Sequence, residues 1–232
     1  MLRLFFQHFR PGQFPVHEAV MSEELARLEN CIRRGFDQEA ALASGETALH
    51  LASHVGLHRQ VERLLKAGAN PDARSHDRRT PLHLATVAWV IPPCCERRDH
   101  DEAARLECCR LLVEAGADVN ARCARGLQCL HLVSGRQPAI LEYLLDHGAD
   151  VNGVDDLGAT PLHHFFALGC TELEPYQMLL DYGADPARKN LEGQSIADLF
   201  ALEEAEDWWG SYSDFAEKFR RIRELLGVPV TR

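Results

Sequence analysis

One short motif recurs along the chain and constrains its folding more than any other feature. It reads Thr47-Ala-Leu-His-Leu-Ala52, Thr80-Pro-Leu-His-Leu-Ala85 and Thr160-Pro-Leu-His163, with degenerate copies at Phe14-Pro-Val-His-Glu-Ala19, Gln128-Cys-Leu-His-Leu-Val133 and Ser195-Ile-Ala-Asp-Leu-Phe200. The second residues of these copies, at 15, 48, 81, 129, 161 and 196, are separated by 33, 33, 48, 32 and 35 positions. A second series keeps step: Gly35, Gly68-Ala-Asn, Gly116-Ala-Asp, Gly148-Ala-Asp and Gly183-Ala-Asp, each preceded by a leucine-rich stretch. Two motifs sharing one period define a unit that cannot bury its apolar face alone and must stack on its neighbours.

The residues give local reasons for such a unit. Pro81 opens a short helix where the missing N–H costs nothing. Thr80 is placed to cap that helix, and His83 to bond neighbouring backbone. In the longer helix, Val61, Leu64 and Leu65 fall on one face at helical spacing. Gly68 then ends it, because glycine adopts the left-handed conformation cheaply. The turns Asn70-Pro-Asp72 and Asp150-Val-Asn152 lead into the next unit.

On these motifs the chain resembles the ankyrin repeat family over residues 12–227. The resemblance implies an all-α solenoid of stacked helix-turn-helix units joined by β-hairpin fingers. The units expected are 12–44, 45–77, 78–125, 126–157, 158–192 and 193–227, between an apolar and basic segment at 1–11 and a tail at 228–232. The first and last units lack the full motif, as terminal capping units do. In the last, Phe215, Phe219, Ile222 and Leu226 share one helical face. Trp208 and Trp209 are expected as a lid on that unit, with a partner anchor as the alternative.

Charge and cysteine usage exclude several classes. A net charge of −10, from 35 acidic against 25 basic residues, argues against nucleic-acid binding and against a basic membrane-surface protein. No run of about 18 apolar residues is present, so no bilayer span is expected. Residues 1–10 carry too short an apolar stretch for a signal peptide. The eight cysteines are unevenly spaced, which points to reduced thiols and an intracellular home, the cytoplasm first and the nucleus as alternative.

The third unit is 48 residues long, and its extra residues fall around 89–106. Pro92 and Pro93 stop the first helix there, and the second is expected to start between Asp99 and Leu106. Cys94, Cys95, His100, Cys108 and Cys109 invite a zinc reading, but adjacent cysteines cannot easily reach one tetrahedral ion. Cys109 also takes the position of Val61 in the preceding unit, so buried or loop thiols without metal or cofactor are expected. Of the twelve histidines, His17, His50, His83, His131 and His163 are the motif residue and read as structural. No nucleophile–base pair, phosphate loop or HExxH motif appears, so catalysis is not expected. An enzyme or metal site at 89–106 is the minor alternative.

The resemblance implies a non-catalytic protein-interaction module or adaptor that binds a partner peptide or domain along its concave groove and finger tips. Carried onto this sequence, the partner-binding positions are Arg74, His76, Asp77 and Arg79; Arg122, Arg125 and Leu127; Asp156 and Leu157; and, on the first helices, His54, Val55, Val87 and Ala88. Arg74, Arg79, Arg122 and Arg125 are basic within an acidic protein and are expected to form one positive strip for an acidic partner segment. Similarity to substrate receptors of cullin-type ubiquitin ligases is a second reading, weakened because no Leu-Pro-rich SOCS box appears in residues 228–232. Asn120, in Leu111-Leu-Val-Glu-Ala-Gly-Ala-Asp-Val-Asn120, resembles a family site of asparagine hydroxylation. Asn152 is the second candidate, whereas Asn70, followed by proline, departs from the pattern.

Overall fold

A computed structural model describes residues 15–87, 102–205 and 213–227, without the side chains of 201–205, 213–216 and 219. The expectations for residues 1–11, Ala88, Cys94, Cys95, His100, Trp208, Trp209 and the tail lie outside the described residues, as do those for the Phe215 and Phe219 side chains.

Twelve α-helices occur among the described residues, in pairs: α1 (Pro15–Met21) with α2 (Leu25–Arg33), α3 (Ala48–Val55) with α4 (His58–Lys66), α5 (Pro81–Thr86) with α6 (Glu102–Glu114), α7 (Cys129–Leu132) with α8 (Pro138–Asp146), α9 (Pro161–Ala167) with α10 (Leu173–Asp181), and α11 (Ile196–Ala205) with α12 (Ser213–Leu225). They fall into two compact units. One holds the described residues to Ala85 and Glu102 to Asp118; the other holds Thr86, Val87 and the residues from Val119 onward. In the first unit α1 packs on α3, while α2, α4 and α6 pack in sequence as a second row. In the other, α7, α9 and α11 form one row and α8, α10 and α12 the other.

Each unit closes its own apolar core. Leu28, Leu49, Leu64, Leu82 and Leu112 are fully buried in the first; Leu130, Ile140, Leu144, Leu162, Phe165 and Tyr176 are fully buried in the second. Truncating one such leucine to alanine costs about 2–5 kcal/mol. The longer helices end alike. The left-handed Gly68, Gly116, Gly148 and Gly183 let the next residue's N–H reach back to Leu64, Leu112, Leu144 and Leu179 at 2.9–3.0 Å. That next residue is Ala69, Ala117, Ala149 or Ala184, each buried, so the glycine both satisfies a terminal carbonyl and turns an apolar side chain inward.

The fingers are shorter than β-hairpins. Each is closed by two backbone bonds: one across its base, from Leu42 N–H to Glu46, Ser75 to Arg79, Cys123 to Leu127, Asp155 to Ala159 and Asn190 to Gln194 at 2.9–3.0 Å, and one from the last tip residue back to the carbonyl of the same base residue. An isolated antiparallel bridge joins Ala41 and Thr47, and no strand forms among the described residues. The chain turns back within three residues and enters the next helix at once, so no ladder can extend.

The motif histidine locks one repeat to the next. Thr47 N–H donates to His50 Nδ1 at 3.1 Å, which caps α3, and the opposite nitrogen, Nε2, lies 3.0 Å from the Arg79 carbonyl. A backbone N–H can only donate, so Nδ1 must accept and Nε2 must carry the proton. His17 Nε2 reaches the Glu46 carbonyl at 3.2 Å in the same unit. In the other unit His131 Nε2 reaches Gly153 and Ala159 at 3.2 and 3.3 Å, and His163 reaches Gln194 at 3.2 Å. In the last pair the position belongs to Asp198, which caps through Ser195 N–H and Oγ at 2.8 and 2.7 Å.

Burial holds His17, His50 and His163 below the usual imidazole range, and takes His131 down to about 4, with His164 adding repulsion. The unfolded chain therefore binds more protons than the folded one below about pH 6.5. Stability is full above that pH and falls as pH drops toward the folded values. His131 alone should cost about 2 kcal/mol at about pH 5 relative to about pH 8. Urea midpoints measured across this range check the point; a midpoint unchanged down to about pH 5 contradicts it.

Candidate functional site

The finger tips of the second unit are built on Asp155. Its buried carboxylate accepts Leu157 N–H at 2.8 Å and Ala159 N–H at 2.9 Å through Oδ1, while Oδ2 lies 3.0 Å from His164 Nε2. Burial pushes this carboxyl up, but the His164 and backbone hydrogen bonds outweigh it and hold it below the ordinary carboxylate range. Asn190 repeats the device in the next finger, accepting Glu192 and Gln194 N–H at 3.0 and 2.9 Å. The adjoining tips are joined by Leu191 N–H to the Leu157 carbonyl at 2.9 Å. Both leucines stand in solvent, Leu157 at 70% and Leu191 at 78% exposure. Leu168, which ends α9, is 62% exposed.

The expected binding positions have unequal fates. Arg74, His76, Asp77, Arg125 and Asp156 are exposed, and Arg79, His54, Val55 and Val87 are half-buried. Arg122 is exposed but engaged: its Nη1 donates to the Val154 carbonyl at 2.7 Å and its Nη2 lies 3.4 Å from Asp156 Oδ1. Leu127 requires a correction, because it is 4% exposed and belongs to the core. It follows the left-handed Gly126 and precedes the Gln128 cap of α7, where the chain already turns inward. Sequence reasoning missed Leu191, and also Arg78, an exposed tip residue with a left-handed backbone. The signal was register: Leu191 lies two residues before the finger glycine Gly193, and Arg78 occupies the finger-glycine position itself.

Asn120 and Asn152 are staples between neighbouring turns. Asn120 Oδ1 accepts Asp150 N–H at 2.8 Å and its Nδ2 donates to the Gly148 carbonyl at 2.9 Å. Asn152 holds Asp185 N–H and the Gly183 carbonyl, both at 2.8 Å. In the first unit the same acceptor role falls to Asp72, whose Oδ1 takes Asp118 N–H at 3.0 Å. Asp72, not Asn70, is thus the counterpart of Asn120; Asn70 instead caps its own turn through Asp72 N–H at 3.0 Å.

Among the described residues no group of three or more histidine, cysteine or acidic side chains is placed to hold a metal ion. Cys108 and Cys109 sit in the core of the first unit on α6, both at 0% exposure. Burial pushes the Cys108 thiol up to about 12 and raises Cys109 as well. Cys123, Cys129 and Cys170 are also buried free thiols, and Cys31 is half-buried. No described helix is long and apolar enough to cross a membrane.

Comparison with known proteins places these features in a family. Ankyrin repeat models match residues 44–76 and 77–124, and a model of three ankyrin repeat copies matches residues 101–190. The chain is 30% identical over 198 residues to the nuclear factor NF-kappa-B p105 subunit of Gallus gallus, covering 83% of this chain and 18% of that protein. It is 30% identical over 204 residues to NF-kappa-B inhibitor delta of Mus musculus, covering 81% of this chain and 62% of that one. Neurogenic locus notch homolog protein 1 of Mus musculus is 33% identical over 148 residues, 63% of this chain and 5% of its own length.

The α6 thiols should be protected in the native protein. Iodoacetamide at about pH 8, read by peptide mass mapping, should modify Cys31 at least about tenfold faster than Cys108 or Cys109, because only an accessible thiolate reacts. Equal rates in the folded protein would contradict the burial of α6.

Proposed function

The chain belongs to the ankyrin repeat family, and from that premise we propose that it is a non-catalytic adaptor which binds a partner protein through its finger tips. The exposed pair Leu157 and Leu191 carries this reading: two large apolar side chains on hydrogen-bonded neighbouring tips form a ridge that folding leaves uncovered. A second feature supports a charged component. The finger closed by Ser75 and Arg79 carries Arg74, Arg78 and Arg79 against Asp77 in a protein of net charge −10, which suits an acidic stretch of the partner. The four-arginine strip expected from the sequence is reduced on the Arg122 side, where Asp156 supplies the counter-charge.

The partner chemistry that fits is apolar at the tips of the second unit and acidic at the basic finger of the first. We place the adaptor in the cytoplasm, with the nucleus as alternative, on the support of its buried free thiols.

The doubly substituted Leu157→Asp, Leu191→Asp protein tests the reading. Both side chains are solvent-exposed, so the unfolding temperature should stay within about 2 °C of the parent. Quantitative affinity capture from cell lysate should lose the proteins enriched by the parent at least about tenfold, as expected for apolar anchor residues. Retention of the same proteins at the same intensities would remove the apolar ridge from the binding surface.

A further inference from the structure

Five fingers of this chain share one backbone plan, and one of them breaks a rule the others keep. In each, the third tip residue donates its N–H to the carbonyl three positions back: Gly45 to Leu42 at 2.8 Å, Arg78 to Ser75 at 2.8 Å, Gly126 to Cys123 at 3.0 Å, Gly158 to Asp155 at 3.1 Å and Gly193 to Asn190 at 3.0 Å. All five have positive φ, of 79°, 57°, 72°, 72° and 77°. Four are glycine, for which the left-handed region is free of steric cost; the fifth is arginine, for which it is not. Arg78 is also exposed, and its side chain has no hydrogen bond or ion pair among the described residues. A strained residue whose side chain contributes nothing to its own fold is a pointer to a ligand contact.

From this we infer that Arg78 is a partner-reading residue, held at the tip of its finger to pair with a carboxylate in an acidic, extended segment of the bound protein. The proposal rests on the reading of the finger tips as the partner surface and names its charged half. Arg78 stands between Arg74 and Arg79, with Asp77 as the single acid of the tip, so the finger keeps a net positive charge. The planar guanidinium matches a carboxylate through two parallel hydrogen bonds. Arg74 and Arg78 are exposed rather than gathered in a recess, which suits singly charged groups spaced along a peptide better than one doubly charged phosphate.

The test separates strain from charge. The probe is a fluorescein-labelled peptide alternating Glu and Ser, with an otherwise identical Gln and Ser peptide as reference, measured by anisotropy at low salt with the full chain. Arg78→Gly should raise the unfolding temperature by roughly 2–4 °C, because the left-handed cost disappears, and weaken Glu-peptide binding about three- to fivefold. Arg78→Ala should weaken binding to the same extent without the gain in unfolding temperature. Arg78→Lys should fall between Ala and the parent, about two- to threefold weaker than the parent, because its ammonium keeps the charge but cannot form both parallel hydrogen bonds. Glu-peptide binding unchanged in Arg78→Gly, or no preference of the parent for the Glu over the Gln peptide, overturns the inference. The two readings fail separately: loss of lysate partners from the leucine variant with no effect of Arg78 on the probe removes only the arginine proposal, and the reverse removes only the apolar ridge.

Discussion

The structure depends on an imidazole used in two opposite senses at once. Apolar burial supplies most of the energy that stacks one helix pair on another, but it is non-directional and cannot by itself fix where each finger sits. The motif histidine supplies the direction. In His50 and His163 one nitrogen accepts from the cap of the residue's own helix, and the other donates to a carbonyl 29 or 31 residues further on. The ring must be neutral to do both, and burial keeps it so. Once that carbonyl is held, the three residues before it can only turn outward, and the tip that results is the surface available to a partner.

Much of this was legible in the sequence because it is local chemistry repeated at a fixed period. Threonine, histidine and glycine each impose one backbone requirement, so their spacing gave the helix pairs and their ends. Other features depend on tertiary detail that residue type does not carry. The position before the cap varies freely: it is Glu46, Arg79, Ala159 or Gln194 where a histidine bonds its carbonyl, and Leu127 in the finger closed by Cys123. Its side chain is therefore unconstrained by the motif, and Leu127 fell inward where a free surface position was expected. The Asn120 counterpart in the first unit was hidden for a related reason. The accepting half of the staple requires only an oxygen, so Asp72 serves there as well as asparagine, and a search for asparagines passes over it.

The candidate site was harder to read than the fold. Leu191 aligns with Asp156, and Arg78 with Gly126 and Gly158, only after the closing bonds of the fingers give the register. Charge alone was a poor guide: Arg122 looked free in sequence, yet it is tied to Val154 and Asp156. What identifies the candidate residues is the remainder left when helix caps, staples and core have been assigned. In the second unit that remainder is apolar, Leu157 and Leu191; in the first it is basic, around Arg78.

The central claim, a neutral histidine strapping a repeat to its neighbour within each unit, can be observed atom by atom. Long-range nitrogen–proton NMR correlation on uniformly labelled protein at about pH 7 reports the state of each ring. The account predicts that His50, His131 and His163 are all neutral with the proton on Nε2, and that this proton exchanges slowly with water. An imidazolium, or a proton on Nδ1, at any of the three would contradict it.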